Sequence, residues 1–290
     1  MGVVVCRPGE GVWAMGSTDG LPDALPCPFS WPCVPCADLE RIAFCCQQSR
    51  ECLCLEKKGW QPICRMPCVP GVCDMRFSAC GRYLYQLSSE ADCIHVLNAS
   101  TGELLWAAPA GVFPRCMKLN AAGELLLFAC GALNEAVLLN APELTPACTI
   151  RTPHPCFYAD FWQGGLVLVC AAESGDIRTA VYTLSPKQRH PQMLLQLSGA
   201  PCGLCVCGEG RSALLSTWNG LMKVDLRNGA ILWNCPEWAL CTRIECRGDR
   251  VLVSDTPDGS VCVFHHQRPH ERRTLVTFPD SQACFLSNRV

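Results

Sequence analysis

The sequence predicts an all-β protein, a seven-bladed β-propeller forming one domain over residues 1–290. Three observations point there. Short apolar runs are broken at regular intervals by turn residues. A strand–turn–strand unit recurs with a tryptophan at its end. A cysteine returns every 37 to 46 residues along the chain.

The apolar runs include GRYLYQL (81–87), GELLLFAC (123–130), GLVLVC (165–170), SALLST (212–217) and DRVLVSD (249–255). Each has strand length, and none shows a sustained helical period. The punctuation is of hairpin type: Asn219-Gly220, Asn228-Gly229, Asp258-Gly259 and Ser174-Gly175-Asp176. Strands spaced this closely indicate a sandwich, a barrel or a propeller.

Repeats choose among the three. IHVLNASTGELLW (94–106) and LMKVDLRNGAILW (221–233) share an apolar strand, Asn or Asp, a glycine turn, an apolar pair and Trp; CLCLEKKGW (52–60) is a looser copy. The segments that open at Cys36, Cys73, Cys116, Cys156, Cys202 and Cys241 each read as a strand, a turn and a second, more apolar strand. A seventh opens at Cys284 and stops at the C-terminus. The missing strands are supplied by the N-terminal segments MGVVVCR and GVWAMGST, so the ring is expected to close by pairing the two chain ends in one blade. The blades are placed at 284–290 plus 1–32, 33–71, 72–113, 114–154, 155–200, 201–239 and 240–283.

The strand–Asp/Asn–x–x–x–Gly–strand–Trp unit resembles the repeats of the quinoprotein-like, YVTN and WD-repeat β-propeller superfamily, over essentially the whole chain. The Gly-His and Trp-Asp signature of strict WD repeats is absent. The resemblance implies the architecture and leaves the activity open, because propellers host many activities.

Composition narrows the partners. The net charge is −2, with no long basic run, which argues against nucleic acid. No apolar run is long enough to span a membrane, and the first residues lack the pattern of a signal peptide. The expectation is a cytoplasmic monomer. The 26 cysteines are then read mostly as reduced thiols serving as small apolar side chains.

Two C-x-x-C pairs, Cys33/Cys36 and Cys202/Cys205, match the roughly two that chance gives at this cysteine content, as does the vicinal Cys45-Cys46. The repeat-equivalent cysteines are more informative. Cys36, Cys73, Cys116, Cys156, Cys202, Cys241 and Cys284 are expected to ring one mouth of the central channel, where first strands converge. Two readings stay open. Cysteine is a small residue that fits the crowded axis and was copied by duplication. Or the ring binds a soft metal, as Zn, Cu or an Fe–S cluster. Asp38, Asp74, Lys118, Tyr158, Asp160, Arg243 and Glu245 follow these cysteines closely and are the candidate polar contacts of a ligand. In HHQRPHERR (265–273), a basic loop on the last full blade, His265 and His270 are a weaker metal candidate.

No Ser-His-Asp order, His-Glu-x-x-His, phosphate loop or dinucleotide fingerprint is present. The leading expectation is a non-enzymatic scaffold that presents the cysteine-lined face to a protein or peptide, without a cofactor. The alternatives are a metal-binding or redox-active thiol site, and a small-molecule enzyme of lactonase or quinoprotein type.

Overall fold

The computed structural model describes residues 3–7, 11–15, 23–24, 33–38, 40–46, 49–254, 256–277 and 282–285. It is a β-propeller of antiparallel four-stranded sheets. Strands β1 (Val3–Arg7), β2 (Gly11–Met15) and β3 (Asp23–Ala24) open the chain. The next blade is β4 (Cys33–Ala37), β5 (Arg41–Cys46), β6 (Glu51–Glu56) and β7 (Pro62–Pro67). It is followed by β8 (Val72–Phe77), β9 (Tyr83–Ser88), β10 (Cys93–Asn98) and β11 (Leu104–Pro109), then by β12 (Pro114–Leu119), β13 (Leu125–Cys130), β14 (Glu135–Asn140) and β15 (Thr145–Arg151). The second half holds β16 (Cys156–Trp162), β17 (Gly165–Ser174), β18 (Asp176–Leu184) and β19 (Gln192–Ser198), then β20 (Pro201–Val206), β21 (Ser212–Thr217), β22 (Gly220–Asp225) and β23 (Ile231–Cys235). Last come β24 (Arg243–Arg247), β25 (Arg250–Ser254), β26 (Ser260–His265), β27 (Arg268–Thr277) and β28 (Gln282–Phe285).

Six blades are thus each woven from one unbroken stretch of chain; the sequence predicts these and a seventh joined from the two chain ends. The two chain ends contribute a further sheet in the order β28-β1-β2-β3, with Val4 opposite Cys284 and Val5 opposite Ala283. Its first strand begins at Gln282, two residues before the predicted start. Residues 25–32 and 286–290, assigned to that same blade in the sequence, lie outside the described residues.

The repeat unit forms the third and fourth strands of a blade, β10–β11 and β22–β23. Its glycines are needed twice over. Gly102 and Gly229 have φ of 78° and 74°, and a Cβ on either would meet a carbonyl of the preceding blade, Arg65 O at 2.6 Å or Leu194 O at 2.9 Å. The tryptophans that close the unit join neighbouring blades. Trp106 donates from Nε1 to Pro142 O at 2.8 Å, and Trp233 to His266 O at 2.9 Å. Both therefore act in blade packing, with Tyr83 and Phe264 as ring partners.

The core lies between sheets. Met66, Met75, Phe77, Leu84 and Leu97 pack in one inter-blade cluster, and Tyr85, Leu87, Met117, Leu126 and Phe128 in the next. Each such side chain contributes about 1.5–3 kcal/mol by leaving water. Cysteine takes part as a small apolar residue: Cys36, Cys54, Cys116, Cys156, Cys170 and Cys284 are buried thiols. One pair departs from the expected thiol state. Cys45 of β5 and Cys68, just after β7, form a disulfide with Cα atoms 6.3 Å apart. It ties the second strand of its blade to the segment leading into the next. The vicinal Cys46 stays a buried thiol, since adjacent strand residues face opposite sides.

An unreduced digest should contain a peptide pair joining Cys45 to Cys68. The double variant Cys45→Ser/Cys68→Ser should lose about 3 kcal/mol of stability, the loop-closure contribution for a bridge of this span, measured by denaturant titration without reductant.

Candidate functional site

The inner strands β4, β8, β12, β16, β20, β24 and β28 converge on the axis, and the bulges in several of them decide which side chains reach it. The seven predicted thiols do not share one level. Cys73 is the extra residue of a bulge between the pairs Val72–Ser88 and Asp74–Leu87. Cys116 shares a bulge with Arg115, between Pro114–Cys130 and Met117–Phe128. Cys156 is paired with Cys170 ahead of a bulge, whereas Cys202 fills one between Pro201 and Gly203. Cys241 precedes β24 altogether. Cys36 and Cys284 lie deeper, opposite Ala43 and Val4. A cysteine count from blade to blade passes over these bulges, each of which shifts the register.

Counting back from the first hairpin turn restores the equivalence. Cys36, Arg76, Lys118, Asp160, Cys205 and Glu245 each stand two residues before the one that opens the turn, namely Asp38, Ser78, Asn120, Trp162, Cys207 and Arg247. Cys284 holds the same place in β28, because Phe285 N donates to Glu245 as Val206 N donates to Asp160. The level is therefore three thiols, two cations and two carboxylates.

Above it opens a cavity of about 120 Å³. Its wall includes Cys73, Asp74, Cys116, Lys118, Tyr158, Arg243 and Glu245, all candidates from the sequence. It also includes Arg76, Arg115, Leu204, Thr242, Ile244 and Gln282, which sequence reasoning missed. Alternation back from the turn was the available signal for Arg76. Cys36, Cys156, Cys202, Cys241 and Cys284 are not among the lining residues. Neither is Asp38: its Oδ1 caps a turn by accepting from Glu40 N and Arg41 N at 2.8 and 2.6 Å, and its Oδ2 pairs with Arg41.

The carboxylates near the axis are spent on structure. Asp74 Oδ1 accepts from Met75 N at 2.9 Å and its Oδ2 from Met117 N of the next blade at 3.0 Å; Oδ2 also faces Arg76 at 3.4 Å. Asp160 Oδ2 accepts from Val206 N at 3.1 Å and pairs with Lys118 at 3.3 Å. Glu245 accepts from Phe285 N at 3.1 Å and pairs with Arg247 at 3.2 Å. Burial works against the charge on Lys118, but Asp160 and the thiol of Cys205 outweigh it and raise its pKa. Tyr158 Oη donates to Cys202 O at 2.6 Å.

Two cations of the wall have no carboxylate partner among the described residues. Arg243 donates to the carbonyls of Ala283 and Pro35, and Arg115 stacks over the Phe157 ring at 5.4 Å. With Arg76 and Lys118 they make four positive groups against Asp74, Asp160 and Glu245, so the cavity carries an excess of positive charge.

Most axial thiols are held protonated; Cys205 is the exception, its pKa lowered by the neighbouring Cys246 thiol and by Lys118 against the effect of burial. Burial pushes Cys73 and Cys284 up to about 12, aided by Asp74 and Glu245 respectively. Burial takes Cys116 and Cys202 up to about 11, and drives Cys36 far above the usual thiol range with help from Cys52. The Cys156 thiol rises through its hydrogen bond to Cys170 and through burial. Protonated thiols at unequal depths are poor nucleophiles and a poor ligand ring.

Among the described residues, metal-type donors instead gather at two other places: Cys207, Glu209 and His266, and Cys235, Glu237 and His270, with donor atoms in each within 4.8 Å. His265, a candidate from the sequence, faces Asp249 at 3.3 Å and belongs to neither.

The loops at the end of the propeller where inner strands begin form an apolar rim. Val112 and Phe113 lie on the loop entering β12, Leu240 on the loop entering β24, and Trp218 on the β21–β22 turn. These four side chains are exposed at 43, 55, 41 and 52%. All belong to the end of the propeller where inner strands begin. Leu240 N donates to Thr217 O, which joins two of these loops. Phe113 and Leu240 adopt φ of 54° and 61°, a left-handed conformation costly for bulky side chains.

No protein-family model and no curated protein sequence matches the chain. Solved structures do. Hydrazine synthase of Kuenenia stuttgartiensis superposes with a TM-score of 0.65 at 11% identity, covering 78% of this chain and 73% of that one. Dihydro-heme d1 dehydrogenase NirN, in complex with DHE, gives 0.60 at 17% identity over 81% of this chain and 54% of that one. The β-propeller domain of Cps50 (Swd1) from Myceliophteria thermophila gives 0.53 at 14% identity over 68% and 66%. At these identities the likeness establishes the propeller fold and nothing about activity. No helix among the described residues is long and apolar enough to cross a membrane.

Asp160→Ala should cost about 3 kcal/mol in denaturant unfolding, because it strands Lys118 at the axis and removes an inter-blade acceptor. Cys80 is exposed, and its hydrogen bonds from Ser78 and the Arg82 backbone bring it down to about 7. Its alkylation by iodoacetamide should therefore have a midpoint near pH 7, and Ser78→Ala should move that midpoint upward, read by peptide mass spectrometry.

Proposed function

We propose that the protein is a non-catalytic binding propeller, seven-bladed once the composite sheet is counted, that captures a protein or peptide at the mouth of its channel. The pairing of β28 with β1 supports the closed ring, since it joins the two chain ends in one four-stranded sheet. The observation that carries the binding reading is this rim together with the charge of the cavity. Phe113 and Leu240 are exposed at positive φ and Trp218 is exposed at the same end of the propeller, where Arg115 and Arg243 of the cavity wall have no carboxylate partner among the described residues. Apolar anchors around a charged recess are how a peptide surface obtains both affinity and register.

The charge selects an acidic partner. A cavity of this volume takes one side chain rather than a folded ligand. A carboxylate entering it would meet Arg115 and Arg243, while flanking apolar residues cover Phe113, Trp218 and Leu240. Catalysis is not needed to account for the site. Its carboxylates already bond backbone N–H groups and basic side chains, and no histidine lines the cavity.

Selection from a random peptide library on immobilised protein should enrich sequences with Asp or Glu beside aromatic or aliphatic residues. Affinity for a selected peptide should fall at least tenfold in Arg115→Glu and in Phe113→Ser. It should be unchanged in Met193→Ser, an exposed apolar change on the outer strand β19. Equal loss in all three variants, or enrichment without acidic residues, would count against the reading.

A further inference from the structure

A second site lies away from the axis, where the first turn of the β20–β23 blade meets its neighbour. Cys207 opens that turn and Glu209 lies within it; His266 is in the β26–β27 turn. The Cys207 Sγ, a Glu209 carboxylate oxygen and a ring nitrogen of His266 all lie within 4.8 Å of one another. Cys246 of β24 adds a second thiol near Cys207 and Cys205, outside that 4.8 Å set. Into this set points the buried side chain of Lys223, with Nζ 2.6 Å from His266 Nδ1 and 3.4 Å from Glu209 Oε1. Two of the donors, His266 and Glu209, thus already face a cation.

We propose that Cys207, Cys246, Glu209 and His266 form a zinc site, in which the metal and the Lys223 ammonium compete for one pocket. Two thiols, an imidazole and a carboxylate are a tetrahedral donor set of the soft-to-borderline kind that zinc prefers over magnesium or calcium. The imidazole is fixed through its backbone, with His266 N donating to Asp249 O and His266 O accepting from Trp233 Nε1, both at 2.9 Å. The Nδ1 atom of His266 faces the Lys223 ammonium at 2.6 Å, so it is freed for a metal when that ammonium moves away.

Charge favours the exchange. Zinc binding releases the two thiol protons to solvent. Two thiolates and a carboxylate around Zn²⁺ leave one net negative charge, which the displaced but tethered ammonium balances from close by. The donor atoms would draw together to roughly 3.5 Å separations, as bonds of ~2.0–2.3 Å require. The other donor set is weaker: Glu237 and His270 are exposed, and Glu237 faces Arg272 at 4.0 Å. This site is independent of the peptide reading, because none of its residues lines the axial cavity.

The test uses the full chain, reduced and stripped with a chelator, then titrated with Zn²⁺ against a chelating indicator and with Co²⁺ by absorption. The expected result is one equivalent bound, with a thiolate-to-cobalt charge-transfer band. Cys207→Ser and His266→Asn should each weaken binding at least tenfold, and Lys223→Met should tighten it about tenfold. Far-UV circular dichroism of the metal-free variants checks folding. If Cys207→Ser does not fold, Glu209→Gln on the partly exposed turn replaces it, with the same weakening expected. Failure to bind zinc, binding unaffected by these donor changes, or a Lys223→Met variant that binds no more tightly would each overturn the proposal.

Discussion

The structure depends on how polar groups are bonded where the inner strands crowd the axis. Backbone N–H groups of each inner strand approach the neighbouring blade with little room for water. Asp74, Asp160 and Glu245 accept from Met117 N, Val206 N and Phe285 N across three blade junctions. Arg76 and Arg243 run the complementary way, donating to Met117 O and to Ala283 O and Pro35 O. Groups buried without such partners would each be costly. The bonds fix blade against blade and set the charge of the cavity, because every carboxylate spent on a neighbour's backbone is withdrawn from the recess.

The apolar framework sits around this polar hub. Inter-blade clusters exclude water from the sheet faces, while the repeat glycines and tryptophans seat the outer hairpins β10–β11 and β22–β23 on adjacent blades. Cysteine serves where two blades approach closely. A thiol offers a small apolar side chain that can also share a weak hydrogen bond, as Cys116 does with the Ala159 backbone. That explains why so many thiols coexist with raised pKa values at the axis: burial suppresses their chemistry.

Away from the axis the same residue type behaves differently. Cys207 lies beside a carboxylate and an imidazole, with Cys246 near it, and Cys80 lies in water beside a hydroxyl. The surroundings, not the number of cysteines, separate packing thiols from thiols with chemistry. The rim residues follow a parallel rule. Phe113 and Leu240 are ordinary apolar residues in the sequence, and only their left-handed backbone and exposure mark them.

Much of the architecture is legible in the sequence. Strand length, hairpin punctuation and the glycine–tryptophan unit reflect local backbone chemistry, which requires no knowledge of distant contacts, and they lead to a propeller. Asp74, Lys118, Tyr158, Arg243 and Glu245 are likewise found, because polar residues early in an inner strand fall near the axis. The level of each side chain was not legible. A bulge at Cys73, at Arg115 and Cys116, or at Cys202 inserts residues that spacing counts as ordinary, so a repeat aligned on cysteine equates residues at different depths. Nor could spacing show that Cys45 meets Cys68, that Cys207 and Glu209 meet His266, or that His266 meets Lys223, since those encounters join separate strands and turns. The sequence by itself determined the period and the chemistry available in each blade. The tertiary structure alone decided which of those groups face one another, because register and blade-to-blade contact are properties of the closed packing.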